Sequence, residues 1–185
     1  WGVVYPNGKW NDDRDAFGNV LVEFNSDPHL GTATWALSEG GNGKTYSAVL
    51  LPARVTWQQA KDYATSVGAQ LVSMETQAER EWIFKRFAAF LNMWTLNGYT
   101  CGPWVGLSRT TGNWVWESGE PVTDSPWLPG EPNLTGDFAC FYGGNGGPAA
   151  GLDDTFEGNA RRALILEFPA PPCLGDIDGD TDVHI

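Results

Sequence analysis

Between residues 35 and 168 the apolar positions change twice from a spacing of two to a helical spacing of three and four, and back again. Thr45-Tyr-Ser-Ala-Val-Leu-Leu, behind the turn-forming Gly40-Gly-Asn-Gly, predicts a strand. From Thr56 the pattern turns helical. Trp57, Ala60, Ala64 and Val67 share one face, Thr56 and Gln59 have capping-box spacing, and Gly68 ends the run. Leu71-Val-Ser-Met predicts a short buried strand. A second helix is expected from Thr76, with Glu79 completing another capping box and Ile83, Phe87, Phe90 and Leu91 turned inward. Residues 104–107, 113–116, 138–142 and 163–168 then read as short strands separated by Gly/Pro-rich loops. Two helices, several short strands and one long irregular stretch predict an α+β domain.

Composition narrows the class. The chain has 185 residues, 42% of them hydrophobic, with ten tryptophans, enough for one good core plus appendages. Its 23 glycines and 12 prolines imply many loops. A net charge of −12 argues against a nucleic-acid partner, which demands a basic surface, and suits a secreted, acidic protein. No apolar run approaches the roughly 18 residues that suggest a membrane span. Because the numbering begins at Trp1, the sequence reads as a mature product or a piece of a longer chain. Cys101, Cys140 and Cys173 permit one internal disulfide and lack zinc-type spacing.

The chemistry concentrates in Glu131-Pro132-Asn133 and, twenty residues on, Asp153-Asp154. A carboxylate and a carboxamide flank one proline, and two more carboxylates arrive from a later segment. Ca²⁺, which takes about six to eight oxygen ligands in a tolerant geometry, fits such a set. A cis Glu131–Pro132 bond in a tight turn would aim both flanking side chains at one point. Asp137 is a weaker additional ligand candidate. In the tail, Asp176, Asp178, Asp180 and Asp182 alternate as in the first half of an EF-hand loop, with the glycine one place early. No enzyme is expected. The only histidines, His29 and His184, lie in a connecting stretch and the tail, and no nucleophile–base set falls within the core. Glu117/Glu120 and Asp153/Asp154 could mimic a glycosidase pair, but adjacent acids in a calcium-like motif are more often ligands. Trp104, Trp114, Trp116 and Trp127 could stack on sugars, although aromatics at strand positions more often fill a core.

Taken in order, TWQQAKDYATSVGAQLVSMETQAERE, WVGL, WVWESGEP, EPN and LILEF resemble the two-helix segment, central strands, calcium loop and closing strand of C-type lectin-like domains, in a form similar to bacterial members. The resemblance implies a C-type lectin-like fold over 35–168, with Glu131, Asn133, Asp153 and Asp154 holding both Ca²⁺ and a glycan. The acid-then-amide order implies the mannose/glucose/fucose class. Two departures weaken sugar binding. Gly136 stands where the family has a glutamate, with Asp137 beside it, and the family's Trp-Asn-Asp is here Leu152-Asp153-Asp154. The resemblance implies that both usual disulfides are absent, the first from the places of Ala64 and Leu166 and the second from that of Glu157; Cys101 and Cys140 lie at strands expected to share a sheet, and the sequence leaves their pairing open.

Outside 35–168 the resemblance implies two fragments. GKWNDDRDAFGNVLVEF resembles the end of a lectin-like unit, with a remnant calcium motif at Trp10-Asn11-Asp12 and a closing strand whose Glu23 is repeated at Glu167. Residues 1–25 therefore read as the end of a preceding or strand-donated unit, 26–34 as a linker, 169–175 as a Pro-rich linker, and 176–185 as the start of a dockerin-like calcium repeat. Two functions follow. One is a secreted calcium-dependent lectin. The other is an extracellular structural protein that self-associates through residues 1–24 into a filament or surface layer.

Overall fold

The computed structural model describes residues 3–4, 10–11, 29–97, 99–109 and 112–169. Eleven strands occur among them: β1 Val3–Val4, β2 Trp10–Asn11, β3 His29–Thr34, β4 Thr45–Val55, β5 Gln70–Leu71, β6 Thr95–Asn97, β7 Tyr99–Ser108, β8 Val115–Trp116, β9 Phe138–Gly144, β10 Gly151–Thr155 and β11 Arg161–Phe168. Helix α1 spans Trp57–Ser66 and α2 spans Gln77–Ile83. β1 and β2 pair only with each other, antiparallel. The main sheet runs β10-β9-β7-β11-β4-β3, with β5, β6 and β8 attached at its margins. Its pairings are antiparallel except β7–β11, which is parallel. The α+β expectation holds.

Strand alternation sends successive residues to opposite faces, and both faces of this sheet are covered. Along β11, Ala163 and Ile165 enter one cluster with Trp35, Tyr46, Ile83, Phe87 and Phe141. Leu164 and Leu166 enter the other with Val49, Trp57, Ala60, Ala64 and Trp104. Helix α1 covers the second cluster. Its start is fixed as the sequence predicts: Thr56 accepts from the Gln59 N–H at 3.3 Å, and the Gln59 side chain accepts from the Thr56 N–H at 2.9 Å. Gly68, at φ +73°, closes it in the left-handed region that glycine adopts freely. Val67 falls beyond the last turn and is partly exposed.

Three expectations need correction, and the cysteine pairing that the sequence left open is answered. The second capping box is only half made. Thr76 accepts from the Glu79 N–H, but the Glu79 carboxylate turns inward to Tyr46, Asn42 and the Glu75 N–H. Phe90 and Leu91 are exposed, at 58% and 64%. The chain widens into a π-helical turn over Phe84–Ala88, which breaks the helical period, and Met93 and Trp94 fill the core instead. The stretch read as a linker contains β3, which pairs with β4 through its backbone and buries little. Cys101 and Cys140 lie on the neighbouring strands β7 and β9 as free thiols.

Apart from β1 and β2, the N-terminal fragment lies outside the described residues, as does the tail that carries Asp176 to Asp182. Of the remnant calcium motif, Asn11 belongs to β2 and Asp12 lies outside.

Candidate metal centre

Between β8 and β9 the chain runs through residues 117–137 without a regular strand, and this long loop lies against the edge strand β10. The Glu131–Pro132 bond is cis. The Glu131 carboxylate accepts from the Asn133 N–H at 3.1 Å, so the turn is held by one of its own acids. Asn133 Oδ1 accepts from the Thr135 N–H at 3.1 Å, which uses one lone pair of that oxygen and leaves the other free to accept and the NH₂ end to donate.

Asp154 fastens the loop to the sheet. It is fully buried, and its two oxygens accept from the Asn133 N–H at 2.6 Å and the Gly136 N–H at 3.0 Å. Its backbone carbonyl accepts from the Thr135 hydroxyl at 2.8 Å. Gly136 comes so close to β10 that a Cβ there would lie 1.9 Å from the Thr155 carbonyl carbon. A side chain at 136 is sterically impossible without moving the loop. The place filled by glutamate in the resembled family is here a backbone N–H that supports Asp154.

Glu131, Asp153 and Asp154 come together, with one oxygen of each within 4.8 Å of the others. Neighbouring strand residues leave opposite faces, and an edge strand is where both can still reach one point beside the sheet. Burial, and then the charges of Glu131 and Asp154, push the Asp153 carboxyl up to about 7. Three oxygen donors with mutually repelling charge form a donor set that fits a hard divalent cation.

Asp137 and Glu117 of the same region are engaged elsewhere. Asp137 binds the Arg109 guanidinium through bonds of 3.0 and 2.8 Å and lies outside the three-acid group. Sequence proximity suggested it as a ligand; Arg109, at the end of the neighbouring strand, claims it. Glu117 pairs with Lys61 at 2.9 Å. Trp104 and Trp116 are core residues. Trp114 and Trp127 pack edge to face at 4.6 Å, with Arg109 over the Trp114 ring. Sequence reasoning missed the supporting roles of Gly136 and Thr135. The Thr135 contact has no sequence signal, whereas a glycine in place of a side-chain ligand is a trace of close backbone approach.

Residues 53–144 match the family model of the Lectin C-type domain, a span that includes Glu131–Asn133 and stops short of Asp153. C-type lectin domain family 4 member K of Homo sapiens is 27% identical over 100 residues, 51% of this chain and 26% of that protein. The chain spans about a quarter of the length of the curated relatives it matches, or less. Among solved structures, the cow C-type carbohydrate-recognition domain of CD23, crystallised in the presence of GlcNAc2Man3 oligosaccharide, superposes with a TM-score of 0.52. It is 21% identical, over 68% of this chain and 89% of that one. The Ca²⁺-independent C-type lectin SPL-2 from Saxidomus purpuratus superposes with a TM-score of 0.54 and 21% identity, over 69% and 87%. The fold is thus shared with a lectin that works without Ca²⁺, and the superpositions establish that this chain has the C-type lectin-like fold, with residues 53–144 similar to the Lectin C-type domain.

Proposed function

We propose that the domain is a calcium-dependent carbohydrate-binding module of the mannose/glucose/fucose class, acting outside the cell. The convergence of Glu131, Asp153 and Asp154 supports this reading most strongly. These three acids and Asn133 would hold Ca²⁺, whose open coordination positions would take two neighbouring sugar hydroxyls. Around such a pair, Glu131 accepts a hydroxyl proton and the Asn133 NH₂ donates to a hydroxyl oxygen. Asp153, an acid where the resembled family has an amide, removes one donor and weakens sugar binding relative to metal binding. Immobilised mannose, fucose and galactose, each with calcium and with EDTA, provide the test. Retention on mannose or fucose that EDTA abolishes is the expected result. Retention unchanged in EDTA, or on galactose alone, would reject it.

Self-assembly has one observation in its favour. β3 is the outer strand of the described sheet, with Leu30 47% exposed and Phe90 58% exposed. An open edge accepts a strand from another chain, and residues 1–24 of a neighbour would supply it. Deleting residues 1–25 should then reduce the mass seen by light scattering. An unchanged monomer in both forms rejects assembly and leaves the lectin reading intact.

A further inference from the structure

The basic residues of this acidic chain are few, 11 against 23 acids, yet three arginines meet at one place. Arg54 from the end of β4 and Arg161 and Arg162 from the start of β11 line two adjoining cavities of ≈ 240 and ≈ 390 Å³, which share Arg54, Thr95 and Arg161. No aspartate or glutamate lines either cavity.

Arg161 forms the floor. It is only 5% exposed, and its Nε is a buried donor without a hydrogen-bond partner. The guanidinium lies over the Trp104 ring at 4.7 Å, beside the Cys101 and Cys140 thiols. Among the described residues no carboxylate lies within ion-pair distance of it; the Cys101 thiol hydrogen-bonds it, and Asp153 acts on it only through space. A guanidinium removed from water without a counter-ion is costly, and stacking on an aromatic ring offsets only part of that cost. Arg54 and Arg162 are exposed at the mouth, each steadied by one carbonyl: Arg54 Nη1 donates to Ala160 at 3.3 Å and Arg162 Nε donates to Leu51 at 2.7 Å. One bond each leaves most of their five N–H donors for something else. Three cations that repel one another, partly pre-oriented around a cavity without acids, call for an anion.

We infer that this cavity is a binding site for a sulfate or phosphate group, either free or esterified to a saccharide. A tetrahedral oxyanion accepts from several directions at once and matches the guanidinium fork. The Thr95 hydroxyl adds a neutral donor at the shared wall. Glu131, Asp153 and Asp154 line neither cavity, so no proposed calcium ligand belongs to the site, although Arg161 feels the Asp153 charge through space.

The test uses the full chain in EDTA, which separates it from the calcium site. Thermal unfolding is followed against potassium sulfate, potassium phosphate and glucose 6-sulfate, each with potassium chloride at matched ionic strength. A saturable rise in melting temperature is expected, because a ligand that binds only the folded state stabilises it. Arg54→Ala/Arg162→Ala changes only exposed side chains and should weaken apparent affinity at least tenfold, while Arg54→Lys/Arg162→Lys restores part of it. Tighter binding of the sugar sulfate than of free sulfate assigns a saccharide source, and the reverse assigns the free ion. A rise that does not saturate, or one equal in the double alanine variant, is general salt exclusion and overturns the site. No rise at all overturns it as well.

Discussion

The Asp154 carboxylate and the Asn133 N–H, 2.6 Å apart, join the edge strand to the loop that carries Glu131. With the Gly136 N–H on its other oxygen, Asp154 is a structural anchor as well as a candidate metal ligand. Asp153, next to it, is half-buried and repelled by its neighbours. The two adjacent acids should therefore respond differently to substitution. Asp154→Ala strands the Gly136 N–H and leaves the Asn133 N–H with only its longer bond to Glu131, and should cost about 1–3 kcal/mol while abolishing calcium binding. Asp153→Asn keeps an oxygen donor, relieves the repulsion, and should leave stability unchanged or higher with calcium still bound. Urea unfolding and calcium titration of both variants decide the matter. Equal destabilisation by the two would show that Asp154 has no special anchoring role.

Gly136 offers a second test of the same seam. Its Cβ position overlaps the Thr155 backbone, so Gly136→Ala forces the loop off β10. A loss of about 1–3 kcal/mol is expected, together with at least a tenfold weaker calcium affinity. Gly136→Glu, which restores the acid of the resembled family, should do worse rather than better. Tighter calcium binding in that variant would contradict the close approach.

What the sequence made legible was local. The Thr56/Gln59 box and the Trp57, Ala60, Ala64 stripe belong to one helix and its cap, and the cis turn with Glu131 and Asn133 lies within three residues. Partners far apart in sequence account for most of the rest. Glu79 leaves its capping box for Tyr46, 33 residues away, and Asp137 goes to Arg109, 28 residues away. β3 was hidden for a different reason. Its residues are mostly exposed, so the ladder to β4 and hydroxyl bonds such as Thr34–Thr45 do most of the holding, and these leave no hydrophobic pattern. The widened turn at residues 84–88 displaced Phe90 in the same way, because the period it breaks was the signal being read.

The Glu79 network should be worth more to stability than its surface neighbours. This buried acid accepts from the Tyr46 hydroxyl at 2.6 Å, the Asn42 amide at 2.8 Å and the Glu75 N–H at 2.9 Å. Burial raises its pKa, and the hydrogen bonds oppose that rise. Tyr46→Phe keeps the ring and removes one donor from a buried carboxylate, at a cost of about 1–3 kcal/mol. Breaking the exposed Glu81–Lys85 pair by Lys85→Ala should leave stability nearly unchanged, because solvent screens it. Chemical denaturation of the two variants gives the comparison, and a Tyr46→Phe cost no larger than that of Lys85→Ala would deny the network a stabilising role.

Asp153 also ties calcium binding to pH. Without metal its carboxyl is pushed up to about 7, first by burial and then by Glu131 and Asp154. In the unfolded chain the same group titrates near about 4. Between those values the folded state keeps a proton that the unfolded state releases. Its contribution to stability is therefore complete below pH ~4, falls as pH rises, and is lost above ~7. Partial exposure screens the amplitude but not the sign. Calcium needs the ionised form, so its binding expels that proton and weakens as pH falls below ~7. The two slopes oppose each other. In EDTA the melting temperature should drift down from pH 5 to 7.5, whereas the increment added by calcium should grow over the same range. Asp153→Asn has no proton to exchange there and should flatten both trends while still binding calcium. A calcium increment equal at pH 5 and pH 8 in the unsubstituted chain would mean that Asp153 is not a ligand, and Glu131 and Asp154 would then have to hold the ion without it.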